Sequence, residues 1–149
     1  MNAQHDLHPQ LVRQLGILSQ LFQSRAASLL SPLGLTYTQM SLLTFLEATP
    51  EGATITELAA VIDIQQPGVS KSVAQLEELG ALSSEREPGS PRGKRVRLAA
   101  DGRALLVEVR ETLTPAVDTW FEGWSSEEQT DLLKRLRMLS TRLSAGGAA

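Results

Sequence analysis

The chain has 149 residues, of which 42% are hydrophobic, with a formal net charge of −3 and no cysteine. That length fits one domain, or one domain with appended helices, and the apolar content suffices for a core. Structural disulfides, thiolate zinc sites and thiol redox sensing are excluded, and no stretch reaches the ~18 apolar residues of a membrane span.

The first residues, MNAQHDLHPQ, show no basic segment followed by an apolar run. No signal peptide is therefore expected, and the expected location is the cytoplasm. The acidic balance speaks against nucleic acid as a partner, because phosphate contacts need lysine and arginine. The charge is polarised, however. Gly89–Leu98 (GSPRGKRVRL) carries Arg92, Lys94, Arg95 and Arg97 without an acid, while acids collect over Glu122–Asp131.

Leu11, Leu15, Leu18, Phe22, Ala26 and Leu29 recur at helical spacing and predict an amphipathic helix from Pro9 to Leu30, ended by Pro32 and Gly34. Thr36-Tyr37-Thr38-Gln39 is a capping box that opens a second helix. Thr54-Ile55-Thr56-Glu57 opens a third, Ile55–Ile62, which breaks at Asp63-Ile64-Gln65. Pro67 suits the first turn of a fourth, which Gly80 stops near Leu79. Ala81–Arg86 and Lys94–Leu98 read as strands of a hairpin around the turn-rich 88–93. A fifth helix spans Asp101–Gly123, with Pro115 expected to kink or split it. Ser125-Ser126-Glu127-Glu128 caps a sixth, striped by Leu132, Leu136, Leu139 and Leu143, before the tail Ser144–Ala149.

The fourth helix carries the chemistry. At 100° per residue Val69, Val73 and Leu76 share one face with Gly80, and Pro67, Lys71, Ala74, Gln75 and Glu78 face away, with Ser70 on the flank. Its start, Gln65-Gln66-Pro67-Gly68-Val69-Ser70-Lys71-Ser72, is small and hydrogen-bonding, as entry into a groove about 12 Å wide requires. A surface helix with an unremarkable tip would fit the same residues. A basic hairpin placed two residues further on favours DNA, since Arg92, Lys94 and Arg95 at its tip would follow the backbone or enter a minor groove. Charged edge strands also simply prevent aggregation.

The combined run Leu58-Ala59-Ala60, Val69-Ser70-Lys71-Ser72-Val73, Leu76-Glu77-Glu78-Leu79-Gly80-Ala81-Leu82, Arg92 and Val96-Arg97-Leu98-Ala99-Ala100-Asp101-Gly102 resembles the MarR family of bacterial regulators. Leu35-Thr36-Tyr37-Thr38-Gln39 with Leu42-Leu43 is similar to that family's LTxxQxxxL, and the likeness extends from about residue 10 to residue 143. Three positions depart from the pattern. Ser90 replaces the aspartate of DxR, Ser84 a wing-strand arginine (Arg86 follows on the same strand face), and Ala99 the threonine of LTxxG. A missing helix cap costs about 1 kcal/mol, part of which Asp101 offsets through the helix dipole.

The resemblance implies a mainly α fold with a small β-hairpin wing: a winged helix-turn-helix at 36–100 (helix-turn-helix about 54–80, wing about 81–98) between helical dimerisation segments 1–35 and 101–149. It implies a homodimeric repressor that binds a pseudo-palindromic operator in double-stranded DNA through Gln65, Gln66, Pro67, Gly68, Ser70, Lys71, Gln75, Arg86, Arg92, Lys94 and Arg95. It also implies a small aromatic or phenolic effector near Ser24, Tyr37, Met40, Leu113 and Val117. Trp120, Phe121 and Trp124 read as packing or dimer residues. His5 and His8 form no metal motif, and no cofactor or membrane partner is expected. Two other classes remain open. An enzyme would need a nucleophile–base pair or phosphate loop, of which no motif is present. A winged-helix protein-interaction module without specific DNA binding would suit the acidic charge.

Overall fold

The computed structural model describes residues 3–62, 66–90 and 93–146. Its elements are α1 (Ala3–Leu30), a 3₁₀ turn (Ser31–Leu33), α2 (Tyr37–Glu47), β1 (Ala53–Thr54), α3 (Ile55–Ile62), α4 (Gln66–Glu78), β2 (Leu82–Arg86), β3 (Lys94–Leu98), α5 (Ala100–Trp120) and α6 (Ser126–Gly146). The fold is mainly α with a small antiparallel sheet, as the sequence predicts. The chain forms two compact units, residues 1–113 and 114–149.

All three expected capping boxes form. Thr36 Oγ1 accepts from Gln39 N at 3.1 Å while Gln39 Oε1 accepts from Thr36 N at 3.0 Å. Thr54 and Glu57 exchange the same pair of bonds at 3.2 and 3.0 Å, as do Ser125 and Glu128 at 3.1 and 2.8 Å. Each box satisfies amide groups that the first helical turn leaves without partners.

Several boundaries differ from expectation. α1 begins at Ala3 and carries Pro9 within it, beyond the first turn, where a proline costs the helix one backbone hydrogen bond. α5 likewise continues through Pro115, so the expected split does not occur, and it ends at Trp120 rather than Gly123. The hairpin gains a third strand, giving the order β1-β3-β2. Ala53 stands opposite Val96, and Thr54 opposite Arg95. A two-residue strand leaves too little alternation to be read from sequence. The expected break at 63–65 lies outside the described residues.

The core of the first unit is built from Leu30, Leu42, Leu43, Leu46, Leu58 and Leu76 with valines 69, 73, 96 and 109. Two glycines make its closest approaches possible. Gly52 has φ +79, and a Cβ there would lie 2.5 Å from the Val96 carbonyl oxygen. Gly102, in the first turn of α5, would carry a Cβ 2.2 Å from the Ala81 carbonyl oxygen. Both obstacles are backbone, which cannot rotate aside as a side chain can. Gly102→Ala is expected to lower stability by about 1–3 kcal/mol through overpacking, visible as a lower midpoint in thermal melts; an unchanged midpoint would show that α5 shifts freely against the sheet.

Candidate nucleic-acid interface

α4 divides as its sequence predicts. Val69, Val73 and Leu76 are fully buried, whereas Pro67, Gly68, Ser70, Lys71, Ala74, Gln75 and Glu78 are exposed. The helix ends in a left-handed Gly80 (φ 74), whose amide donates to Glu77 O at 2.9 Å, while Ala81 N donates to Leu76 O at 2.9 Å. This is a Schellman ending, in which glycine takes the conformation that a Cβ penalises. Ala81 O then accepts from Ala99 N at 3.0 Å, fixing the base of the hairpin beside the end of α4.

On the central strand β3, Val96 and Leu98 are buried, and Arg95 and Arg97 alternate onto the other face. Arg95 grips Glu87 through Nε (2.8 Å) and Nη2 (3.0 Å), and its Nη1 donates to Gly52 O at 3.1 Å. Lys94 Nζ reaches Glu77 Oε1 of α4 at 2.9 Å, and Arg97 pairs with Glu85 across the hairpin. Lys94 and Arg95 therefore belong to the strand and anchor the wing to α4 and to the Gly52 turn. They do not stand at the loop tip as expected. Arg86 is exposed at the end of β2, and among the described residues neither it nor Lys71 enters an ion pair. Gln66 opens α4, while Gln65 and Arg92 lie outside the described residues.

The departures from the family pattern have visible consequences. Ser90 Oγ accepts from Gly93 N at 3.1 Å and Ser90 N donates to Glu87 O at 3.2 Å, so serine closes the wing turn where an aspartate is usual. Ala99 directly precedes α5 and accepts from Arg103 N only through its backbone, at 3.1 Å.

Gln39 makes a contact to the exposed side of α4 that sequence reading missed. It was legible as a capping residue, but its buried amide Nε2 also donates to Gln75 Oε1 on α4 at 2.9 Å. A contact between residues 36 positions apart leaves no local pattern. Of the expected effector residues, Ser24, Tyr37, Met40 and Leu113 lie in the first unit and Val117 in the second. Tyr37 meets Phe22 edge-to-face at 5.8 Å between ring centroids. In the second unit Phe121 and Trp124 pair similarly at 5.7 Å. An open depression there is lined by Trp124, Glu128, Asp131, Leu132 and Arg135 among others, and draws on none of the expected effector residues.

A helix-turn-helix pair with a three-stranded wing defines a winged-helix protein. Residues 33–93 match the model of the MarR family. The structure is similar to BldR from Sulfolobus solfataricus, with TM-score 0.81 and 22% identity over 95% of this chain and 99% of that one. It is similar to a MarR family transcriptional regulator from Rhodococcus sp. RHA1 (0.72, 21%, 97% and 96%). It also resembles CouR from Rhodococcus jostii RHA1 bound to p-coumaroyl-CoA (0.73, 20%, 88% and 88%). Over residues 33–93 the chain thus matches the MarR family, and the solved structures that share its winged-helix fold include MarR family transcriptional regulators. No helix among the described residues is long and apolar enough to cross a membrane.

The Arg95 fork gives a test of the wing's base. Its hydrogen bonds hold the Glu87 carboxyl below the ordinary value of 4.5 and raise the Arg95 guanidinium. A carboxylate with a lowered folded pKa adds stability above its unfolded pKa and loses it as pH falls through the folded one. Arg95→Ala is therefore expected to lower the thermal midpoint at neutral pH, with the gap to wild type narrowing in melts taken progressively below pH 4.5. A gap independent of pH would mean that the Gly52 contact, not Glu87, carries the effect.

Proposed function

We propose that the protein is a dimeric repressor that binds a pseudo-palindromic operator in double-stranded DNA. The observation that carries this is the division of α4, whose three apolar side chains are fully buried beneath a small, polar, exposed face. Such a helix is anchored on one side and slim enough on the other for the major groove. Gln65, Gln66, Pro67, Gly68, Ser70, Lys71 and Gln75 would meet the groove, and Arg86 and Arg92 the backbone beside it. Lys94 and Arg95 would contribute mainly by holding the wing in place. The winged helix-turn-helix of 36–100 would be paired by segments 1–35 and 101–149. Leu11, Leu18 and Leu21 on α1, and Leu133 and Leu143 on α6, are exposed in the single chain, as faces awaiting a second copy are. The protein on this reading is a binder and not an enzyme, acting in the cytoplasm.

A second reading, a protein-interaction module, draws on the pairing of Lys94, Arg95 and Arg97 with Glu77, Glu87 and Glu85, which lowers the wing's net positive charge. DNA binding separates the two. Sedimentation should show a dimer, and the dimer should bind a palindrome whose half-site centres lie about 34 Å apart. Lys71→Ala and Arg86→Ala should each flatten the plot of log K against log salt by about one unit for every phosphate the variant no longer neutralises. Salt-independent or absent duplex binding would favour the interaction module.

The same reading assigns a small aromatic or phenolic acid as effector. CouR, similar in fold, was crystallised with p-coumaroyl-CoA, and here Tyr37 and Phe22 already meet edge-to-face. Ser24, Met40 and Leu113 would join them, with Val117 named by the sequence alone. Ligand and operator should each weaken the other's binding by the same factor. Calorimetry with phenolic acids and their coenzyme A thioesters, with and without operator, measures both factors; unequal effects, or none, would refute the effector.

A further inference from the structure

The orientation of one exposed amide on α4 follows from a chain of hydrogen bonds that begins at a backbone group. The Thr36 N–H can only donate, so the Gln39 atom 3.0 Å from it is the amide oxygen. The other end of that amide is then Nε2, also a donor, and it lies 2.9 Å from the Gln75 amide. Only the Gln75 oxygen can accept there. Gln39 is 5% exposed, so water has little access to relieve the alternative, in which two NH₂ groups would face each other. The Gln75 NH₂ is therefore the end turned from Gln39, on the exposed face of α4.

We propose that Gln39 is a positioning residue that makes Gln75 a hydrogen-bond donor toward DNA, so that Gln75 selects an acceptor. This rests on the DNA-binding reading above. A glutamine with both amide ends available pairs with adenine, accepting from N6 and donating to N7. Gln75 has its oxygen drawn back to Gln39. It can donate to guanine O6 or N7, adenine N7, thymine O4 or a phosphate oxygen, whereas cytosine offers only a donor amino group in the major groove and has no acceptor for it. The fixed amide also limits the freedom that Gln75 would give up on binding.

The test is Gln39→Glu in the full-length chain. Glutamate serves in a capping box as glutamine does, so Thr36 N keeps its acceptor. The second carboxylate oxygen now faces Gln75 and accepts, which turns the Gln75 amide over and presents its oxygen outward. Duplexes are selected from random sequence by wild type, Gln75→Ala and Gln39→Glu, and affinities are measured on the wild-type choice. Gln75→Ala is expected to weaken binding roughly three- to tenfold, and Gln39→Glu by a similar factor. Where Gln75 meets a base, wild type is expected to disfavour cytosine there, and Gln39→Glu to shift toward cytosine or adenine, whose amino groups donate. Where it meets a phosphate, both variants bind every sequence more weakly by the same factor. A cytosine preference in wild type that Gln39→Glu leaves intact would overturn the proposal, as would unchanged binding by either variant. Should thermal melts show Gln39→Glu unfolded, wild type is measured on duplexes with the acceptor atom replaced, by a deaza base or a methylphosphonate; an undiminished affinity is then the overturning result. If wild type selects no duplex at all, the DNA-binding reading fails and this inference with it, an outcome distinct from the others because they all require binding.

Discussion

The contact on which the winged part depends is the one at Ala81. Its amide closes α4 by donating to Leu76 O, and its carbonyl accepts from Ala99 N. The same carbonyl oxygen lies where any side chain at Gly102 would sit. Three elements thus meet on one residue's backbone: the end of α4, the base of the hairpin and the first turn of α5. Backbone hydrogen bonds at a buried site cannot be exchanged for water without cost. The relative placing of α4 and the wing is set here and not at the exposed surface, which is free to be chosen for what it binds.

The charges of the wing divide into two kinds. Arg95 is half-buried, forked onto Glu87 and bonded to a carbonyl of the Gly52 turn, and Lys94 bridges to α4. These cations hold geometry. Lys71 and Arg86 stand exposed without an ion pair among the described residues. A net charge of −3 consequently says little about the face presented to a polyanion, because paired and unpaired cations count equally in the total but differ in what they offer a phosphate. Exposed ion pairs such as Arg97–Glu85 contribute little to stability individually; their effect is on the local field.

What the sequence made legible was local. The three capping boxes, the stop at Gly80 and the buried face of α4 rest on spacings of three and four residues, and all are present. What it hid was long-range or contrary to propensity. The β1 strand exists because Ala53 and Thr54 meet β3, a remote stretch of the chain. The second bond of Gln39 and the carbonyl contact of Arg95 span 36 and 43 residues. Pro9 and Pro115 lie within helices although an interior proline loses a backbone donor and crowds the preceding turn, which in sequence reads as a break. At the candidate interface the cations were legible and their pairing was not: in the fold Lys94 bonds to Glu77, and Arg95 to Glu87 and the Gly52 carbonyl.

α1 connects two environments within the first unit. Over its length Leu11, Leu15, Leu18 and Phe22 are exposed, while Ala26 and Leu30 are buried. A contiguous apolar face of this kind is unusual on a monomer and marks an interaction surface, which the proposed second copy would cover. The helix then passes through the turn at Ser31–Leu33, where Gly34 N donates to Ser31 O and Leu35 N to Leu30 O. It leads directly to Thr36, whose capping partner Gln39 holds Gln75. The proposed effector aromatic, Tyr37, sits at the first residue of the same capped turn, against Phe22 of α1. A ligand there can alter operator binding only by favouring one arrangement over another. The physical means lies close at hand: the turn that the ligand would touch carries the amide that orients Gln75 on the exposed side of α4.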